Sequence, residues 1–180
     1  MTPNRYHPAL RVLHWMIAVL IVAALILGTF VMAKTPNIDP SKKFMLVKHM
    51  LTGFAILGLT LARIFVRPKT RRPPPVYSGI EMADWIVPFV HRIFDVLVLG
   101  MIASGVAIAI HVDLLGILWR GEALPEGFAG VTAHTIHVYV ARALGGFLAL
   151  HVCGAFYHQF VLRDRLLSRM SPMVWKNQNG

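Results

Sequence analysis

The chain has 180 residues, of which 56% are hydrophobic and 14% are charged, and its formal net charge is +10. A soluble domain carries roughly 25% charged residues, so this composition excludes an ordinary water-soluble protein. The single cysteine, Cys153, excludes a disulfide framework. A basic run at residues 67–72 directly follows an apolar segment. We therefore expect the positive charge to contact membrane lipid and not nucleic acid.

Four apolar segments are each long enough to cross the ~30 Å hydrocarbon core of a bilayer. They predict membrane helices at approximately residues 12–33, 44–66, 85–112 and 131–162. The first segment is too long for the apolar core of a signal peptide, and we expect it to be retained. The predicted fold is all-α: an integral membrane four-helix bundle that forms a single domain over residues 1–180.

The basic residues predict how the bundle is oriented. Their largest groups lie at residues 5–11, 63–72 and 163–176, which four alternating helices bring to one side of the membrane. On the other side, acidic residues dilute the basic ones. By the positive-inside rule, both termini are cytoplasmic. The segment 113–130 is then periplasmic, and we expect it to lie on the membrane surface with a short helix.

Four histidines lie in the apolar segments at matched depths. His137 and His151 are fourteen residues apart on one predicted helix, so they face within about 40° of each other and lie about 21 Å apart along its axis. With the helix directions above, His49 shares the depth of His137, and His14 shares that of His151. Polar side chains inside lipid are costly and normally face the bundle interior. Each pair joins two helices, as a haem held in a bundle core requires.

Two other histidines compete with these. His134 is an alternative to His137, but its spacing turns it about 100° away from the face of His151. His158 is a stronger rival of His151, because it lies two turns further along nearly the same face. Counted from the basic boundary, His14 even pairs better with His158. Spacing alone favours His151 only slightly.

Charged and small residues surround the predicted pairs. Arg63 and Arg142 lie near the depths of the two pairs and are candidates to bind haem propionates, which need a cation when partly buried. Arg92 and Asp95 are three residues apart and are expected to pair with each other. Glycines near the histidines would let a flat macrocycle approach the backbone, or would simply allow close helix packing. These glycines are Gly28, Gly53, Gly145 and Gly146.

A second kind of pocket is predicted on the cytoplasmic side. His91 has no evident ligand partner in the pairing by depth. Together with His158 and Arg92, it would line a pocket that hydrogen-bonds a quinone and delivers protons when the quinone is reduced.

In this ordered set of residues, the chain resembles the bacterial cytochrome b561 family of small dihaem inner-membrane proteins. The matching segments are RVLHW at 11–15, His49 followed by LAR at 61–63, His91, His137, GFLALH at 146–151, FYH at 156–158, and RD at 163–164 followed by LLSRMSP at 166–172. The resemblance implies two haem b groups, one bound by His14 and His151 and the other by His49 and His137. This choice of ligands removes the ambiguity between His151 and His158. It also implies that His158 joins the quinone site, with His91 nearby.

Some members of this family are similar to a superoxide oxidase. That likeness implies that superoxide gives an electron at the periplasmic side and that ubiquinone accepts it through the haems. An anionic donor would be attracted by the cations of the periplasmic loops. These are Lys34, Lys42, Lys43 and Arg120. Two alternatives remain open: a membrane-anchoring electron-transfer subunit for a periplasmic dehydrogenase, hydrogenase or cytochrome, and a transporter of metal ions or protons that uses the same histidines.

Overall fold

A computed structural model describes residues 5–71, 73–74, 81–128, 130–163 and 166–171, with the side chains of 81–88 left out. Three of the predicted basic residues, Arg72, Arg165 and Lys176, lie outside these ranges. The described residues form helices and no strand. The helices are α1 Pro8–Ile26, α2 Ser41–Val66, α3 Glu81–His111, α4 Leu114–Arg120, α5 Thr132–Phe156 and α6 Leu166–Met170.

Four of these helices are long and apolar enough to cross a membrane. A wide π turn and a 3-10 turn lengthen α1, a 3-10 turn lengthens α2, and a π turn lengthens α5. The resulting spans are Pro8–Lys34, Ser41–Lys69, Phe89–His111 and Thr132–Val161. The predicted all-α membrane bundle is confirmed, with bounds close to those expected from hydropathy.

Antiparallel neighbours place the helix ends in two layers. We call the layer where α1 begins and α5 ends the terminal side, and the layer where α1 ends and α5 begins the far side. α1 packs chiefly on α2, and α3 chiefly on α5. Where these two pairs meet, the buried residues form one apolar core. Its members are Ile17, Ile21, Ile56, Val98 and Leu144.

The outward faces of the spanning helices are apolar. Val19, Phe54, Val96 and Leu150 are between 52% and 70% exposed, and all lie within the spans. A soluble protein rarely exposes apolar side chains so continuously. These faces suit a lipid surround, while the helices satisfy their own backbone hydrogen bonds.

Local contacts hold the end of the first span and the beginning of the second. The Asp39 carboxylate accepts a hydrogen bond from the Ser41 backbone N–H at 2.8 Å, which caps the beginning of α2. Hydrogen bonds from Ser41 hold the pKa of Asp39 below its ordinary value. The Lys42 side chain is buried and donates to the carbonyls of Met32 and Thr35. It thereby neutralises the partial negative charge where the first span ends.

On the far side, the short helix expected within residues 113–130 is present as α4. Its buried residues Leu114 and Ile117 pack with Leu46 of α2 and with Leu124. Arg120, the last residue of α4, forms ion pairs with Asp113 at 2.9 Å and with Glu122 at 2.6 Å.

On the terminal side, α6 is tied to the beginning of the chain. Arg5, Arg11 and Trp15 donate side-chain hydrogen bonds of 2.8 to 3.0 Å to the carbonyls of Ser168, Ser171 and Met170. Cationic donors suit these carbonyls, because the last carbonyl groups of a helix lack partners within it.

Candidate haem sites

Two histidine pairs bridge the interface between the helix pairs. In the far pair, His49 of α2 faces His137 of α5, with ring centroids 6.1 Å apart and ring planes at 74°. In the terminal pair, His14 of α1 faces His151 of α5, with ring centroids 6.2 Å apart and planes at 63°. The structure therefore brings together the two pairs that depth predicted.

The separation of the rings fits a metal between them. Imidazole nitrogen binds a metal ion at about 2 Å, so a metal held between two imidazoles keeps their centroids roughly 6 Å apart. Both pairs have this spacing. The Nδ1 atom of His49 is also buried without a hydrogen-bond partner among the described residues. These observations fit two bis-histidine sites.

Glycines lie directly beside the far pair. A Cβ atom at Gly28 would be 3.5 Å from Cε1 of His49, and one at Gly105 of α3 would be 3.4 Å from Cε1 of His137. The neighbouring backbones therefore approach the two rings closely. At Gly53, Gly145 and Gly146 a Cβ atom would meet no described atom within 4 Å. Close helix packing does not explain these last three glycines, and their bare surfaces suit a flat macrocycle.

One histidine of the far pair has a hydrogen-bonded neighbour. Ser104 of α3 is 6% exposed, and its Oγ lies 2.9 Å from Nδ1 of His137. Sequence analysis missed Ser104 and Gly105, although a Ser-Gly step within an apolar helix is a visible signal of close approach.

The terminal pair has a third histidine beside it. The ring of His91 lies 5.8 Å from that of His151, and Phe94 lies 5.4 Å from the same ring. No ligand partner for His91 is evident from the sequence, which predicts that it lines a quinone pocket. It lies against His151, at a distance that makes it a geometric rival of His14.

A partly buried ion pair lies close to this group. Arg63 of α2 binds Asp95 of α3, and their side chains are 14% and 17% exposed. The charge of Arg63 also acts on His14, His91 and His151. The expected pairing of Asp95 with Arg92 is wrong. Asp95 faces α2, whereas Arg92 is exposed and lies over the ring of Phe89.

Comparison with known proteins identifies the family of the chain. The model of the prokaryotic cytochrome b561 family matches residues 5–173. The chain belongs to this family. It is 29% identical over 163 residues to cytochrome b562 of Cereibacter sphaeroides, covering 88% of this chain and 89% of that protein. It is 25% identical over 169 residues to the probable superoxide oxidase CybB of Yersinia pestis, covering 89% and 92%. No solved structure gives a significant match.

Family membership establishes the general role of this cytochrome b561. It is a multi-pass protein of the bacterial inner membrane, it transfers electrons as an oxidoreductase, and the family's cofactor is haem b. Membership of an electron-transfer family does not fit the alternative of a metal or proton transporter.

The competing histidines of the cytochrome have aromatic ring neighbours other than histidine. The ring of His134 lies tilted against that of Phe128, with centroids 5.8 Å apart and planes at 34°. His158 lies in the π turn after α5, where its ring meets that of Tyr157 at 6.3 Å. His137, preferred by its face, and His151, selected by the family resemblance, are the ones that meet a partner histidine.

The remaining propionate candidate lies on the surface of α5. Arg142 is exposed, and its guanidinium lies 5.6 Å from the centre of the Tyr139 ring. The structure thus places the two candidate arginines differently: Arg63 is enclosed and paired, and Arg142 is on the outside.

The cations of the far side are largely engaged within the cytochrome. Lys42 is buried against backbone carbonyls, Lys43 donates to the carbonyl of Gly121 at 3.1 Å, and Arg120 holds two carboxylates. Steering of an anion by the four cations stays a prediction, and two of them, Lys42 and Arg120, are bound to local groups. Lys34 is exposed.

Proposed function

We propose that this cytochrome carries two haem b groups and passes electrons across the membrane from superoxide to ubiquinone. His49 and His137 bind the outer haem, and His14 and His151 bind the inner one. The observation that carries the proposal is the presence of two separate histidine pairs, each about 6 Å between ring centroids, at opposite ends of the bundle. We place the far side in the periplasm and both termini in the cytoplasm, because the basic groups lie on the terminal side.

Each haem supplies a one-electron redox centre when bound. A haem held by two histidines would leave no site on its metal for a substrate, so the donor and the acceptor would exchange electrons without binding the metal. Two superoxide ions each lose one electron and become dioxygen. Ubiquinone gains both electrons together with two protons and becomes ubiquinol.

Protein groups on the terminal side suit the quinone half of this reaction. We assign His91 and His158 to hydrogen bonds with the quinone oxygens and to proton delivery, since histidine exchanges protons near neutral pH. His91 lies beside the terminal pair, so a quinone that it binds would be close to the inner haem.

We also assign the two arginines to the haem propionates. Arg63 has five donor hydrogens and can hold both Asp95 and a propionate. Arg142 would have to reach its propionate from the outer surface of α5.

A reduced-minus-oxidised spectrum with haem counted per chain tests the ligands. Wild-type protein should hold two low-spin b haems. His49→Ala and His14→Ala should each lose one of them, because an iron deprived of one axial ligand is held weakly. His134→Ala, on the same helix as two of the ligands, is the matched control and should keep both. Two haems in His14→Ala together with loss of one in His91→Ala would move the inner ligand to His91.

A second function is favoured by the local contacts of the cations on the far side. The charge of Arg120 is offset by Asp113 and Glu122, which weakens the attraction of a small anion, and a protein donor is the alternative. The cytochrome would then be the anchoring electron-transfer subunit of a periplasmic dehydrogenase, hydrogenase or cytochrome.

Purified cytochrome in ubiquinone-containing vesicles separates the two functions. Superoxide generated outside should reduce the haems and then the quinone, and haem-free protein is the control. Fully loaded protein that gives no ubiquinol with superoxide would support the subunit, as would co-purification of a periplasmic redox protein from native membranes.

A further inference from the structure

We infer that Ser104 is the positioning residue of His137: it fixes the imidazole as the Nδ1–H tautomer and aims Nε2 at the iron of the outer haem. This inference rests on the proposed assignment of His137 as a haem ligand. Ser104 itself touches neither the metal nor a substrate in this assignment.

Binding of a metal by His137 selects one arrangement of hydrogen atoms around Ser104. Its Oγ lies 2.8 Å from the carbonyl oxygen of Gly100 and 3.0 Å from that of Met101, as well as 2.9 Å from Nδ1 of His137. A hydroxyl has one hydrogen, which can go to a carbonyl oxygen of the helix or to an unprotonated Nδ1. A ligand that binds through Nε2 has Nε2 unprotonated and its hydrogen on Nδ1. In that tautomer Oγ accepts from Nδ1–H, and the carbonyls of α3 take the hydroxyl hydrogen.

Packing holds the same ring in place. Ser104 is 6% exposed, so water does not compete for its Oγ. The next residue, Gly105, brings the backbone of α3 against the ring, since a Cβ atom there would lie only 3.4 Å from Cε1 of His137. The ring is thus fixed by one hydrogen bond and one backbone surface, both from α3.

The partner ligand is held differently. Nδ1 of His49 is buried and has no hydrogen-bond partner in the described part of the chain. The two ligands of the far pair are therefore unequal, and the effect of Ser104 should be confined to His137.

The hydrogen bond has an electronic consequence. A neighbour that accepts from Nδ1–H makes the ligand more basic, and a more basic ligand stabilises oxidised iron. Ser104 should therefore lower the midpoint potential of the outer haem and slow its loss from the protein. Removal of a hydrogen-bond partner of this kind typically weakens metal binding by about 10- to 100-fold.

Three variants test this assignment. Ser104→Ala removes the hydroxyl and should raise the midpoint potential of the outer haem, alter its low-spin electron paramagnetic resonance signal and speed its loss by about tenfold or more. The inner haem, identified as the one that His49→Ala retains, should not change. Ser104→Thr keeps the hydroxyl and should behave as wild type. Thr52→Val is the matched control, because the hydrogen bond that Thr52 makes among the described residues stays within its own helix, donating to the Lys48 carbonyl at 2.8 Å.

The opposite outcomes are distinct. An outer haem with unchanged potential, signal and rate of loss in Ser104→Ala would overturn the inference. Equal changes of both haems in Ser104→Ala and in Ser104→Thr would also overturn it, because they would assign Ser104 to packing. The same change in Thr52→Val would attribute the effect to a lost helix hydrogen bond. Wild-type protein without an outer haem would refute the proposed function itself, whereas normal wild-type loading with an unaffected Ser104→Ala would refute the role of Ser104 alone.

Discussion

At the scale of single residues, the ion pair between Arg63 and Asp95 is the feature with the widest consequences. Burying one charge without its partner is strongly unfavourable, and the pair avoids that cost while joining α2 to α3. The carboxylate of Asp95 also offsets part of the positive charge that Arg63 places near the terminal histidines. The pair is therefore suited to set the potential of a redox centre beside it.

Substitution of Asp95 should change that potential in a known direction. Asp95→Asn leaves the positive charge of Arg63 unbalanced, which favours the reduced form of a nearby haem and raises the midpoint potential of the inner haem. Arg63→Gln removes the cation and should lower it. The measurement is a potentiometric titration of both haems, with Arg92→Gln as the exposed control. Equal midpoint potentials in all these proteins would mean that the pair serves only to join the helices.

At the scale of the helices, sequence could predict the spans and the histidine pairs. Both follow from lengths along one axis, because the rise per residue is constant and hydropathy sets where each helix meets the membrane surface. Depth therefore paired His49 with His137, and it left His14 to pair with His151 or His158 until the family resemblance selected His151, which is where the structure places it.

Rotation of one helix against another was not predictable in the same way. The contact of Ser104 with His137 depends on how α3 turns toward α5, and the contact of Asp95 with Arg63 depends on how it turns toward α2. Helices that are apolar all round carry little information about their facing side. Spacing within α3 therefore suggested the local pair of Asp95 with Arg92, and the structure shows a pair between helices.

The local partners of the loop cations were not predictable for a related reason. Counting charges places Lys42 and Arg120 on the far side, but it does not show that a helix end or a carboxylate nearby will bind them. Hydrogen bonds with Arg120 hold the pKa values of Asp113 and Glu122 below their ordinary range. Both therefore stay ionised at neutral pH, and the cation of Arg120 remains balanced.

At the scale of the whole molecule, the two histidine pairs give the bundle a direction for electron flow only if its orientation is fixed. The described terminal side carries Arg5, Arg11, Arg67 and Lys69, whereas the ion pairs of Arg120 offset charge on the far side. This asymmetry favours cytoplasmic termini, since basic residues next to spanning segments are retained inside.

Thiol labelling of spheroplasts tests that orientation. In a Cys153→Ser background, Glu126→Cys places a thiol at an exposed position of the far side, and Pro74→Cys places one at an exposed position of the terminal side. A membrane-impermeant maleimide should label Glu126→Cys in spheroplasts and Pro74→Cys only after the membrane is broken. The parent Cys153→Ser protein controls for background. Labelling in the reverse order would place the far pair toward the cytoplasm, and superoxide from the periplasm would then meet the terminal pair instead.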